Sequence, residues 1–219
     1  MSPAGDPKAQ PSTGQHPPLA LVDQLVAASS RAHGHLCPGQ VIGVRMAILG
    51  LGLLGYSCSL GWPEIKNVMG IVEIERCLAD AVATVSGLRF GRGSLKLINQ
   101  GLLAVTFLDL PSDRAVRLLS RDQARDLAVA YAHNLPSPQA AQVAAYRMMS
   151  DDELFQVQWV KVNLTPHELP GTRPPKAACQ GCGVLVRSAQ IHRRQGRDLC
   201  AVCAGQAYFN LLDRPARDA

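Results

Sequence analysis

Apolar positions recur with helical spacing from Leu19 to Ala32, at Leu19, Leu21, Val22, Leu25, Val26 and Ala27, while Asp23 and Gln24 fall on another side. That pattern predicts an amphipathic helix. Val41 to Tyr56 is apolar almost throughout, with Arg45 as its one charge, and it is shorter than the roughly 20 residues that span a bilayer. It predicts a buried helix whose Gly43, Gly50, Gly52 and Gly55 let a neighbour pack closely. Ile65 to Glu75 mixes Ile, Val and Met as a strand does, and Cys77 to Val85 reads as a helix ending before a C-capping Gly87. Two β-like runs, Ser94 to Ile98 and Leu103 to Leu108, are joined through Asn99-Gln100-Gly101, which predicts a hairpin. Ser112 to Ala132 and Ser137 to Met149 read as two helices separated by Pro136. Phe155, Val157 and Trp159 alternate with Gln156 and Gln158, so Leu154 to Leu164 reads as a strand.

From Thr165 to Ala178 four prolines and a glycine interrupt any regular pattern, as a linker does. The expected class is α+β. A mixed domain of helices and antiparallel sheet spans residues 19–164, after an arm over 1–18 that is polar and rich in Pro, Ser and Gln. The linker over 165–178 leads to a small module at 179–207 and a tail at 208–219. No internal repeat is present.

Composition changes the picture in three ways. A chain of 219 residues that is 47% hydrophobic holds one medium domain with a small appendage, but only 5% is aromatic, so Leu, Val, Ile and Ala must build the core. The opening residues carry no apolar stretch of a secretory signal, which points to the cytoplasm, and there the seven cysteines read as metal ligands in preference to disulfides. The net charge of +5 is uneven, with 8 Lys or Arg against 3 Asp or Glu from Arg173 onward and 14 of each before it. A basic module of this kind suits an acidic protein surface or nucleic acid, and suits simple solubility equally well.

The cysteines carry the clearest chemistry. Cys179-x-x-Cys182 and Cys200-x-x-Cys203 stand 17 residues apart, the spacing of a four-thiolate structural zinc site. So small a module cannot bury enough apolar surface alone, and a bound ion would supply the missing stability. Four thiolates saturate zinc, which leaves His192 outside the set and makes the module structural or adaptor-like.

A second cluster, His33-Gly34-His35-Leu36-Cys37-Pro38-Gly39, sets two imidazoles and a thiol at alternate positions before the apolar helix. In an extended backbone residues two apart project on one side, so His33, His35 and Cys37 could converge on one ion. Nitrogen and sulfur donors suit zinc or another borderline transition metal better than calcium or magnesium. Cys77 and Asp80, one helical turn apart, could complete this inner site, and a helix N-terminus favours the Cys77 thiolate. The same residues also allow a nucleophile, with Cys37 or Cys77 beside a histidine. Gly91-Arg92-Gly93-Ser94, followed by Lys96, offers backbone N–H groups and two cations that could hold an anion, or a plain turn with a solvated basic strand. Cys58 has no partner at ligand spacing and is expected in the core.

Taken together, HGHLCPG (His33 to Gly39), EIERCLADAVATVSG (Glu73 to Gly87), FGRGSLKLINQGLLAVTF (Phe90 to Phe107) and the terminal cysteine module resemble the FmdE family associated with formylmethanofuran dehydrogenase. The resemblance covers roughly residues 19–207. It implies an α+β domain whose metal-binding cavity is lined here by His33, His35, Cys37, Cys77 and Asp80, with the ribbon cysteines Cys179, Cys182, Cys200 and Cys203 around a second ion. It further implies an accessory role near molybdenum or tungsten enzymes or one-carbon metabolism, since a different subunit performs the redox chemistry. The expected protein is a cytoplasmic homodimer with structural zinc in the ribbon, a second divalent transition metal, zinc by its donors, at the inner site, and a basic ribbon for docking a partner. One alternative is an enzyme with Cys37, Cys77 or Asp80 as catalytic groups and Arg92 and Lys96 binding a small anionic substrate. Another is a metal- or redox-sensing regulator that binds nucleic acid.

Overall fold

The structure, a computed structural model, describes residues 16–210. Most of the expected arm and the end of the expected tail lie outside the described residues. The chain divides into two compact units, Met1–Asn163 and Leu164–Ala219. The first is an α+β domain and the second a small cysteine-rich ribbon.

In the first unit, α1 (Leu19–His33) buries Val22, Leu25, Val26 and Ser29, the inward face of the predicted helical stripe. It stops at Gly34, whose left-handed φ of 99° lets its N–H reach the Ser30 carbonyl. Helix α2 (Pro38–Leu53) starts with Pro38 in its first turn, where proline's missing N–H costs nothing. Every residue from Gln40 to Ala47 is buried, so α2 is the central helix of the domain. Its glycines make that possible: a Cβ on Gly43 would stand 2.6 Å from the Ala81 Cβ, and one on Gly50 2.4 Å from Phe107 Cδ2. The one charge of α2, Arg45, is fully buried and donates to the carbonyls of Tyr146 (2.7 Å) and Met149 (2.9 Å) and to Asp151 Oδ1 (2.8 Å). Burial pushes the Asp151 carboxyl up, and Arg45 pulls it back toward the ionised form.

A five-stranded sheet packs beneath the helices in the order β2-β1-β3-β4-β5. Its strands are β1 (Val68–Val72), β2 (Leu95–Leu97), β3 (Ala104–Asp109), β4 (Arg114–Ser120) and β5 (Phe155–Val160). Helix α3 (Cys77–Ser86) links β1 to β2, which run parallel, as a crossover helix allows. The expected strand over 65–75 is thus shorter, preceded by a 3-10 turn at Glu64–Lys66.

Two expectations fail here. Ser94–Ile98 and Leu103–Leu108 do not form a hairpin, because β1 lies between them and pairs with both. Asn99-Gln100-Gly101 instead crosses the end of β1, where the Glu73 carbonyl accepts from Gln100 N (2.9 Å) and Leu102 N (3.3 Å). The predicted helix over 112–132 is a strand followed by a helix. Arg114–Ser120 pairs antiparallel with β3 and β5, and only Ala124–Tyr131 (α4) is helical. Arg117, whose guanidinium grips Glu73 in a two-point pair (2.6 Å each), favours this register. Helix α5 (Pro138–Met148) has Ser137 as its N-cap, accepting from Ala140 N, and the single turn α6 (Asp151–Leu154) opens with a Ser150–Glu153 capping box.

In the second unit, β6 (Lys176–Ala178) pairs with β7 (Leu185–Arg187), and β8 (His192–Arg194) with β9 (Arg197–Leu199). The first of these strands occupies the end of the expected linker.

Candidate metal centres

Two groups of nitrogen and sulfur donors converge, and all seven cysteines are free thiols. In the inner group the ligand atoms of His33, His35, Cys37 and Cys77 all lie within 4.8 Å of one another. The route to this convergence differs from alternation along one extended segment. His33 is the last residue of α1, the turn at Gly34 swings the chain back, and Cys37 is the extended N-cap of α2 (φ −146°, ψ 163°). Cys77 enters as the first residue of α3. Gly39 keeps the two thiols close, since a Cβ there would stand 3.1 Å from the Cys77 Cβ and 3.8 Å from Cys37 Sγ.

Asp80 is not among the converging donors. Its Oδ2 lies 2.8 Å from His33 Nδ1, one turn into α3 from Cys77. This bond fixes the tautomer and turns His33 Nε2 inward. That Nε2 is buried and has no hydrogen-bond partner, as expected of an atom meant for an ion. Burial and the adjacent Cys37 sulfur push the Cys77 thiol up, so two thiolates here need a cation between them. The donor set fits a borderline divalent metal, with His33 Nε2, His35, Cys37 and Cys77 to hold it.

Sequence reasoning missed a buried chain behind the cluster. Ser29, on α1, hydrogen-bonds through Oγ to Gln40 Oε1, and Gln40, on α2, donates through Nε2 to the Cys77 carbonyl (2.7 Å) on α3. Both side chains are wholly buried. A glutamine three residues after Cys37 in an otherwise apolar run was the available signal.

A cleft of about 530 Å³ opens beside the cluster, lined by His33, His35, Cys77 and Asp80 and by the apolar Phe90 and Leu97. Glu75 and Arg76 line it too. Arg92, at the end of the turn Phe90–Arg92, and Lys96, in β2, are not among its lining residues. A second, more apolar cleft of about 550 Å³ lies on the Cys37 side, between Leu36, Pro38, Val143 and Ala144. Cys58 packs at the margin of the core, where burial pushes its thiol up.

In the ribbon the ligand atoms of Cys179, Cys182, Cys200 and Cys203 also lie within 4.8 Å of one another. Backbone N–H groups point at the sulfurs: Cys200 N reaches Cys179 Sγ at 3.2 Å and Gly181 N reaches it at 3.3 Å. These donors bring the Cys179 thiol down to about 6, while Cys203, crowded by the Cys182, Cys179 and Cys200 sulfurs, is pushed up to about 12. Gly181 leaves room for Cys203, whose Sγ a Cβ would meet at 2.9 Å. His192 sits on β8 outside the group.

The family model described as "FmdE, Molybdenum formylmethanofuran dehydrogenase operon" matches residues 32–156. A "Probable S-adenosyl-L-methionine-binding protein" from Archaeoglobus fulgidus is 24% identical over 212 residues, 87% of this chain and 55% of that protein. The chain therefore spans about half the length of that curated relative. Among solved structures, an FmdE-like protein of tungsten formylmethanofuran dehydrogenase from Syntrophus aciditrophicus superposes with a TM-score of 0.58 at 21% identity, over 86% of this chain and 95% of the other. That likeness is one of fold.

Proposed function

The chain belongs to the FmdE family, and from that premise we propose that it is a metal-binding accessory protein with two ions per chain. The inner ion is held by His33, His35, Cys37 and Cys77, the ribbon ion by Cys179, Cys182, Cys200 and Cys203. The observation that carries this reading is the buried, unpartnered His33 Nε2 facing three other donors within 4.8 Å. Both donor sets suit zinc, the sulfur-only set for a closed structural site. The free thiols suit a reducing cytoplasm. The family description and the name of the structural relative support an association with molybdenum or tungsten formylmethanofuran dehydrogenase or one-carbon metabolism. In this reading the protein is a homodimer, and the basic ribbon docks an acidic partner.

Elemental analysis of the purified protein tests it. Wild type should carry two metal ions per chain, Cys37→Ala and Cys179→Ala one each. A wild type whose metal disappears entirely with Cys179→Ala has no inner site, and the reading fails.

A second reading, a metal-dependent enzyme, is favoured by the cleft that adjoins the inner cluster. The ion would supply Lewis acidity there. Asp80, engaged with His33, would orient that imidazole and would not act as a free base. The name of the archaeal relative adds a small-molecule ligand to this reading.

A further inference from the structure

Three of the four inner donors are built into helices, and the fourth is not. Ser29 lies one turn before His33 on α1, Gln40 one turn after Cys37 on α2, and the Cys77 carbonyl opens α3, so one buried hydrogen-bonded chain ties together the helices that present His33, Cys37 and Cys77. Asp80 clamps the His33 ring from α3 (2.8 Å). The Cys37 carbonyl accepts from Gln40 N at 3.0 Å, which holds the N-cap in place. His35 has none of this. It is exposed, sits in the short link between α1 and α2, and forms no hydrogen bond among the described residues. Its ring touches that of His33, with centroids 4.6 Å apart and planes tilted by 41°.

We propose that the inner centre is a three-plus-one site: His33, Cys37 and Cys77 are its fixed ligands, and His35 is an exchangeable fourth whose release admits a small neutral nitrogen donor with an apolar body from the cleft. The proposal rests on the metal reading above. The ligand class follows from the lining. Phe90, 54% exposed, and Leu97 offer apolar surface that no core residue covers. Among the charged side chains, Glu75 and Asp80 outnumber Arg76, and two thiolates already neutralise a divalent ion, so an added anion gains little there. A neutral nitrogen donor matches the imidazole that it replaces and leaves the charge unchanged.

The test uses the full chain loaded with cobalt(II), whose visible absorption reports ligand exchange, and 4-phenylimidazole as the probe. His35→Ala should keep inner-site affinity, measured by chelator competition, within about tenfold of wild type, whereas Cys77→Ala should lose more than about a hundredfold. The double variant Ser29→Ala/Gln40→Leu, which removes both polar partners together, should lose about 10- to 100-fold. The probe should change the absorption of His35→Ala at concentrations at least about tenfold lower than for wild type. Phe90→Ala should weaken it, and acetate should not reproduce it. Loss of the inner metal by His35→Ala to the extent of Cys77→Ala overturns the proposal. So does a metal-loaded His35→Ala that ignores the probe or binds acetate equally well. A wild type with no inner metal would instead remove the metal reading itself.

Discussion

Replacing Gly43 with alanine should force apart the helix pair that brings Cys37 to Cys77. The added Cβ would meet the Ala81 Cβ at 2.6 Å, the Leu78 carbonyl oxygen at 2.9 Å and the Leu78 Cα at 3.1 Å, all atoms with no torsion to yield. Carbon atoms rest at about 3.5–4.0 Å, so α2 and α3 must separate by roughly 1 Å or hold the strain. Overpacking of this kind costs about 1–3 kcal/mol, and the better helix propensity of alanine offsets up to about 1 kcal/mol of it. A net loss of about 2 kcal/mol is expected. Gly52 is the internal control: it lies in the same helix with nothing within 4 Å of its would-be Cβ, so Gly52→Ala should stabilise by about 0.5–1 kcal/mol. Urea denaturation of both variants measures the difference. A separation of about 1 Å also exceeds the roughly 0.2 Å tolerance of a metal–ligand distance, so inner-site affinity should fall at least about tenfold in Gly43→Ala alone. Equal stability of the two variants, or an unchanged inner affinity in Gly43→Ala, would refute the reasoning.

Other outcomes follow from single contacts. Asp151→Ala leaves the buried Arg45 guanidinium without its counter-charge and should cost about 3–5 kcal/mol in urea unfolding. Asp80→Asn loses the charged partner of His33 Nδ1 and should weaken inner metal binding by about 10- to 100-fold while leaving the ribbon metal in place, as chelator competition can measure. Burial and the hydrogen bond to Asp109 raise the Tyr56 hydroxyl to about 12 from an ordinary value of 10. The folded state therefore holds this proton more tightly, and the associated stability is complete below pH 10 and lost between pH 10 and 12. Tyr56→Phe should show a shallower fall of melting temperature over that range, and an unchanged slope would contradict the assignment.

The sequence made the helices around the site legible because their apolar stripes and glycine stops are local signals: α1 ends at Gly34, α3 at Gly87. The strand order was not legible. Leu95–Leu97 and Ala104–Asp109 look like neighbours joined by turn residues, yet β1 inserts between them, a long-range pairing that no local pattern encodes. Arg114–Ser120 reads as helix or strand with equal ease, and its place between β3 and β5 decides it. Of the inner site, His33, His35 and Cys37 stood out by type and spacing, but their convergence comes from a helix end, a left-handed glycine and an N-cap. Cys77 and Asp80 were tied to them by the family resemblance. Gln40 and Ser29 escaped notice because a buried polar side chain announces itself only once its surroundings are known.

The central claim is an inner ion held by two nitrogens and two sulfurs. Metal-edge X-ray absorption on the Cys179→Ser/Cys200→Ser variant, in which the ribbon group is broken, tests it most directly. The account predicts one ion per chain with two sulfur neighbours at about 2.3 Å and two nitrogen neighbours at about 2.0–2.1 Å. An ion with only oxygen and nitrogen neighbours, or no ion at all, would contradict it.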